Sequence, residues 1–212
     1  MVVIIFDLET SGLNPYHDDI IEIGAKVLGE DNSFQTLIKP KSDAPISKRI
    51  TEITGITNRL LRADGLSWIT AYTEFYNWLF EVSQKGTQAI TLVSHNGDSF
   101  DFIFFKKMYL DSCKIISEDP GTGLNASTLP NMLGIIYIDT LPLCKRLYPG
   151  RTYYNQPSLA RTFNILIDGA HRAMSDVIVL EQLYYKILND LQIREKICGE
   201  PESVRGYIRL EF

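Results

Sequence analysis

Asp7 and Glu9 stand two residues apart at the end of the apolar run Val2 to Leu8. Side chains two apart on a strand leave from the same face, so this spacing brings two carboxylates together. Like charges at the end of a buried strand are costly unless a cation or a shifted protonation relieves them. Taken alone, the pair fits a cation site and a solvated acidic strand end equally well. A second cluster, His95-Asn96-Gly97-Asp98-Ser99-Phe100-Asp101, puts Asp101 in the first turn of a helix. An acid there also complements the helix dipole, an effect of about 0.3–1 kcal/mol. A third, Gly169-Ala170-His171-Arg172-Ala173-Met174-Ser175-Asp176, opens a long helical pattern. Five helical residues are about 500° of rotation, so His171 and Asp176 share no face if both are helical. His171 therefore belongs to the preceding loop or a fraying first turn, where a group of near-neutral pKa could serve as a base. Singly, a lone histidine is more often structural. Four carboxylates and a histidine together suit hydrolysis assisted by hard, oxygen-ligated cations.

The elements that must position these residues can be read from period and punctuation. Val2 to Leu8, Ile20 to Leu28 and Phe34 to Ile38 read as a three-strand meander, the last two joined by Gly29-Glu30-Asp31-Asn32. Lys39 to Ser47, with Pro40 and Pro45, reads as loop, and Ser67 to Val82 has helical spacing of Trp68, Ala71, Tyr72, Phe75, Trp78 and Leu79. Ala89 to Val93 is a buried strand followed by a helix from Phe100 to Leu110. Ser117 to Asn131 reads as a long mobile loop, and Ile135 to Ile138 as a fifth strand. Leu141 to Leu147, Ser158 to Phe163 and Arg172 to Leu191 read as helices. The expected architecture is an α/β mixed five-stranded sheet, a meander plus two parallel strands, flanked by helices. Ligands on such sheets gather at the carboxyl ends of strands, where the acids lie.

The 212 residues, 45% hydrophobic and 22% charged, are enough for one substantial core and show no repeat or linker, so one domain is expected, with its core at about 2–191 and a tail at about 192–212. No apolar run approaches the roughly 20 residues of a membrane span. The N-terminus enters a β-rich run without a signal-peptide pattern, and three cysteines without metal-type spacing read as free thiols. A soluble, intracellular protein of cytoplasm or nucleus is expected. The formal charge of −5 speaks against nucleic acid as a partner. Two divalent cations on the carboxylates would bring it to about −1 and weaken that objection.

In combination, Phe6-Asp7-Leu8-Glu9-Thr10-Ser11-Gly12-Leu13, His95-Asn96 through Phe100-Asp101, and His171-Arg172-Ala173 through Asp176 resemble the DEDDh exonucleases of RNase H-like fold. Ile53-Thr54-Gly55-Ile56 resembles a short apolar motif of the same family, and the resemblance covers about Val2 to Leu183. The stretch Asn96 to Phe102 looks most like the three-prime repair branch; Thr10-Ser11 and Ile103 depart from it, and Ser117 to Asn131 lacks that branch's proline-rich segment. The resemblance implies a 3′–5′ exonuclease releasing 5′-mononucleotides. Asp7, Glu9, Asp101 and Asp176 would hold two Mg²⁺, or Mn²⁺ in their place, and His171 would act as general base. It implies a substrate pocket of Thr10, Leu13, Ile53, Asn96 and Phe100, with Leu13 and Ile53 wedged against the last bases. The partner is a single-stranded or frayed 3′ end, of DNA or alternatively RNA, and the repair branch is homodimeric. An exoribonuclease, a non-catalytic nucleic-acid-binding relative and a small-molecule phosphoesterase are the competing readings.

Lys39, Lys41, Lys48, Arg49, Lys106 and Lys107 are candidate phosphate contacts, although a charge run is usually a solvated face. His17-Asp18-Asp19 reads as a solvated turn, and Gly121-Thr122-Gly123 lacks the strand-turn-helix setting of a phosphate loop.

Overall fold

The computed structural model describes residues 1–42, 44–167 and 172–198. Its sheet has the order β3-β2-β1-β4-β5, from β1 (Val2–Thr10), β2 (Ile20–Val27), β3 (Ser33–Leu37), β4 (Ile90–Ser94) and β5 (Ile136–Asp139). β1, β2 and β3 pair antiparallel, while β4 runs parallel to β1 and β5 parallel to β4. The expected mixed sheet, meander plus two parallel strands, is the observed one.

Alternation along β1 divides the molecule. Ile4, Phe6 and Leu8 face one core, shared with Phe75 and Tyr76 of α3 (Trp68–Val82) and Phe102 and Phe105 of α4 (Asp101–Glu118). The Phe6 ring stacks on Phe75 at 5.9 Å and meets Phe105 edge-on at 5.8 Å. Ile5 faces the other core, with helices α5 (Thr140–Leu147), α6 (Gln156–Phe163) and α7 (Ala173–Cys198). Asp7 and Glu9 continue this second face, so the strand's own period aims both acids toward α7.

Two helices lie where the sequence offered no periodic signal, α1 (Lys48–Thr54) and α2 (Asn58–Asp64). At seven residues each they are too short to show a period, but their punctuation is legible. Ser47 and Thr57 accept from the Ile50 and Leu60 amides as N-caps, and Gly55, at φ 70°, and Gly65 end them. α4 runs to Glu118, well past the expected end at Leu110. The expected loop 117–131 holds the last two residues of α4 and two short 3₁₀ turns, Pro120–Thr122 and Ala126–Thr128, and buries Leu124 in the first core. α7 starts one residue later than expected and extends to Cys198; the rest of the expected tail, 199–212, lies outside the described residues. No helix among the described residues is long and apolar enough to cross a membrane.

Candidate active site

β2 carries its own alternating pattern. Ile23, Ala25 and Val27 enter the first core, leaving Glu22, Gly24 and Lys26 on the face toward α7. Lys26 pairs with Glu181 at 2.6 Å, and Glu22 pairs with Arg172 at 2.7 Å. Between them, a Cβ on Gly24 would stand 2.6 Å from the Ala173 carbonyl carbon and 2.8 Å from the Met174 nitrogen. The backbone of α7's first turn therefore rests on the β2 backbone, with no side chain larger than the Ala173 methyl at the contact. Gly24 is also the cross-strand partner of Asp7. Gly24→Ala is expected to lift the start of α7, lowering stability by about 1–3 kcal/mol in chemical denaturation.

This docking brings Asp176 down onto β1. One carboxylate oxygen each from Asp7, Glu9 and Asp176 lie within 4.8 Å of one another, the group of potential metal ligands found among the described residues. Burial, then the repulsion of Asp101, Glu9 and Asp176, raises the Asp7 carboxyl well above its ordinary range. Glu9 is pushed up to about 8, again by burial first and then by Asp176 and Glu22. Without a cation, protonation is the main relief of the repulsion within such a trio, beside the Arg172 charge that favours ionised Glu9. Oxygen donors alone, partly buried and mutually repelling, fit a hard divalent cation.

Asp101 stands behind this trio rather than in it. The β1–β4 pairing ends at Ile5 and Val93, so β1 outruns its neighbour. Beyond that point the Leu8 amide donates to Asp101 Oδ1 at 3.0 Å, and Ser94 Oγ donates to Oδ2 at 2.6 Å. With both oxygens engaged and 2% exposure, Asp101 braces the end of β1. Burial raises its pKa, and the Ser94 and Leu8 hydrogen bonds partly offset that.

The turn leading to Asp101 is held by Asp139, which the sequence reading passed over. Its Oδ1 accepts from the Asn96 and Leu141 amides, both at 2.8 Å, and its Oδ2 from the Asp98 amide at 3.2 Å. One carboxylate thus caps α5 and fixes the turn; the signal was an acid ending an apolar strand immediately before a helix. His95 is tied into the same framework. Its Nε2 donates to the Tyr154 carbonyl at 2.7 Å, Nδ1 lies 2.9 Å from Thr140 Oγ1, and burial holds its pKa below the ordinary histidine value. His171, nominated as base, lies outside the described residues.

The nominated pocket residues divide by exposure. Leu13 is 83% exposed and Ile53 44%, so neither is a core residue. Phe100 is half-buried against Phe104, Thr10 is buried with its hydroxyl donating to the Gly12 carbonyl, and Asn96 is exposed in a left-handed conformation, φ 67°. Lys41 and Lys107 both pair with Asp111, and Lys106 lies 5.2 Å from the Tyr137 ring centre. Lys39, Lys48 and Arg49 are exposed. Asp18 and Asp19 organise the loop after β1, accepting from the Asn14 and Lys41 amides, as a solvated turn would.

The RNase_T family model, described as exonuclease, matches residues 4–184. The chloroplastic/mitochondrial exonuclease DPD1 of Arabidopsis thaliana is 33% identical over 91% of this chain, and the match covers 58% of that protein. The PolC-type DNA polymerase III of Caldanaerobacter subterraneus is 32% identical over 95% of this chain and 13% of the polymerase. This chain thus spans less than two thirds of either relative. Among solved structures, E. coli exonuclease I in complex with a dT13 oligonucleotide matches with a TM-score of 0.66 at 18% identity, over 95% of this chain and 44% of that one. Cell-death related nuclease 4 matches with a TM-score of 0.64 at 17% identity, over 89% of this chain and 64% of that one. These last two are likenesses of fold.

Proposed function

This chain belongs to the RNase_T exonuclease family, whose model spans both sides of its acidic trio, and from that premise we propose that it is a metal-dependent 3′–5′ exonuclease of the DEDDh type. The observation that carries the reading is the meeting of Asp7 and Glu9 with Asp176, a residue far along the chain from them, within 4.8 Å. Asp7, Glu9 and Asp176 would hold two Mg²⁺ ions, with Asp101 in support. When bound, such ions neutralise phosphodiester charge and lower the pKa of water. The chain's own part is to fix these oxygens before substrate arrives, to present His171 as the base that takes the water's proton, and to seat the 3′ end. Leu13 and Ile53, apolar and exposed, would lie against the terminal bases, a sequence-tolerant contact. Thr10, Asn96 and Phe100 would complete that pocket. DNA is the proposed substrate, as in the oligonucleotide complex of exonuclease I.

The test is a time course on 3′- and 5′-labelled oligonucleotides of DNA and RNA, with Mg²⁺ and with chelator. The 3′ label is expected to leave at once as a mononucleotide and the 5′ label to shorten stepwise, with DNA degraded faster than RNA. Both should stop in chelator. Internal cleavage, or activity indifferent to chelator, would overturn the proposal; faster loss of RNA would reassign the substrate.

A further inference from the structure

We infer that Glu22 is a positioning residue that sets where Asp176 meets Asp7 and Glu9; this rests on the exonuclease reading above. Glu22 is 0% exposed, in the otherwise apolar stretch Ile20-Ile21-Glu22-Ile23. It is the cross-strand partner of Glu9. A carboxylate is a poor choice for such a place unless its direction matters, because a buried ion pair adds little stability over an apolar side chain of similar size.

The hydrogen bonds that Glu22 makes among the described residues all supply direction. Gln35 Nε2 donates to Oε1 at 2.9 Å and orients the carboxylate from β3. Arg172 then grips it in a fork, Nη2 to Oε1 at 2.7 Å and Nε to Oε2 at 3.1 Å and Oε1 at 3.2 Å. Such planar pairing fixes angle as well as distance. The Ala173 amide, one of the donors left over at the start of α7, gives its hydrogen to Oε2 at 3.1 Å. The Asp176 amide in turn donates to the Arg172 carbonyl at 3.0 Å, closing the first helical turn. Glu22 therefore holds residues 172 and 173, and one turn of helix carries that placement to Asp176. The anchor on β2 lies directly across from Glu9 on β1, so the same pair of strands references two of the three carboxylates of the trio.

Glu22→Gln keeps the shape and replaces one acceptor by a donor facing other donors. In the metal-free protein, amide hydrogen exchange over residues 173–177 is expected to speed by ~10-fold or more. Mn²⁺ affinity, read by electron paramagnetic resonance, should fall ~10-fold, and kcat ~10–100-fold, the range for residues that orient metal ligands. KM for an oligonucleotide should stay within about twofold, since Glu22 is buried away from substrate. Arg172→Lys should retain more Mn²⁺ affinity than Arg172→Met. Unchanged exchange and Mn²⁺ affinity in Glu22→Gln overturn the inference. Should that variant not fold, the Arg172 pair, at a partly exposed side chain, decides, and equal affinities in the two overturn it. A wild-type protein that neither binds Mn²⁺ nor shortens an oligonucleotide sinks the exonuclease reading instead, and the metal-free exchange comparison still decides the role of Glu22.

Discussion

Asp7→Asn is expected to lower kcat on a labelled oligonucleotide by ~10³-fold or more, about 4 kcal/mol of transition-state stabilisation, with the fold intact. Asp7 sits between its partners: Glu9 follows it by one strand period, Asp176 meets it from α7, and the Leu8 amide beside it is held by Asp101. Asparagine keeps the volume but halves the acceptors and removes the charge. A general base contributes about 10²–10⁴-fold, whereas enzymes supply about 8–23 kcal/mol altogether. The carboxylates must therefore carry the larger share, and Asp7→Asn should cost at least as much as His171→Ala. A kcat for Asp7→Asn above that of His171→Ala would refute this ordering. The same substitution should raise the melting temperature of the metal-free protein, because it relieves repulsion within the trio.

The second large effect is on stability. Glu9 titrates at about 8 in the folded protein against 4.5 ordinarily, through burial and then the charges of Asp176, Glu22 and Asp101. Asp7 is raised in the same direction. Between those values the folded chain keeps a proton that the unfolded chain has released. The proton-linked stability is thus fully present below pH 4.5 and lost as pH rises to about 8. The slope for one group is about 1.4 kcal/mol per pH unit. With allowance for solvent screening of the half-buried Glu9, roughly half of the full integral survives, about 2–3 kcal/mol. Mg²⁺ should cancel most of this loss by supplying the missing positive charge. Urea denaturation with chelator at pH 5, 6.5 and 8 is expected to show the decline, and millimolar Mg²⁺ to flatten it. A chelated protein equally stable at all three pH values would contradict the assignment of the trio as a charge-frustrated cation site.

How far the sequence disclosed the site depended on the range of the interactions concerned. Asp7 and Glu9 were legible because a strand's period of two is local, and the sheet followed from β-branched runs with clear turns. Asp176 was placed beside Asp7 and Glu9 only by the family resemblance, because no local pattern reports a meeting that requires the docking of α7 on β2. The stripe Glu22, Gly24 and Lys26 was in plain view, yet each member answers to a residue about 150 positions away: Arg172, Ala173 and Glu181. Nothing local distinguishes a docking glycine from a flexible one. Asp101 and Asp139 are both acids at helix starts, but Asp101 spends its oxygens on Leu8 and Ser94, and Asp139 holds the turn before Asp101 with both of its own, through the Asn96 and Asp98 amides. α1 and α2 were missed because seven-residue helices announce themselves only through their caps.

The dependence of β2 on α7 also orders events during synthesis. A chain that has left the ribosome only through α6 carries Asp7, Glu9 and Asp101 but lacks Asp176, and its Glu22 has no guanidinium to meet. Folding must then wait for contacts of long sequence separation, which form slowly. On the exonuclease reading proposed above, a copy that stops short of α7 lacks Asp176 and is expected to leave a labelled oligonucleotide uncut until that helix has closed over the sheet.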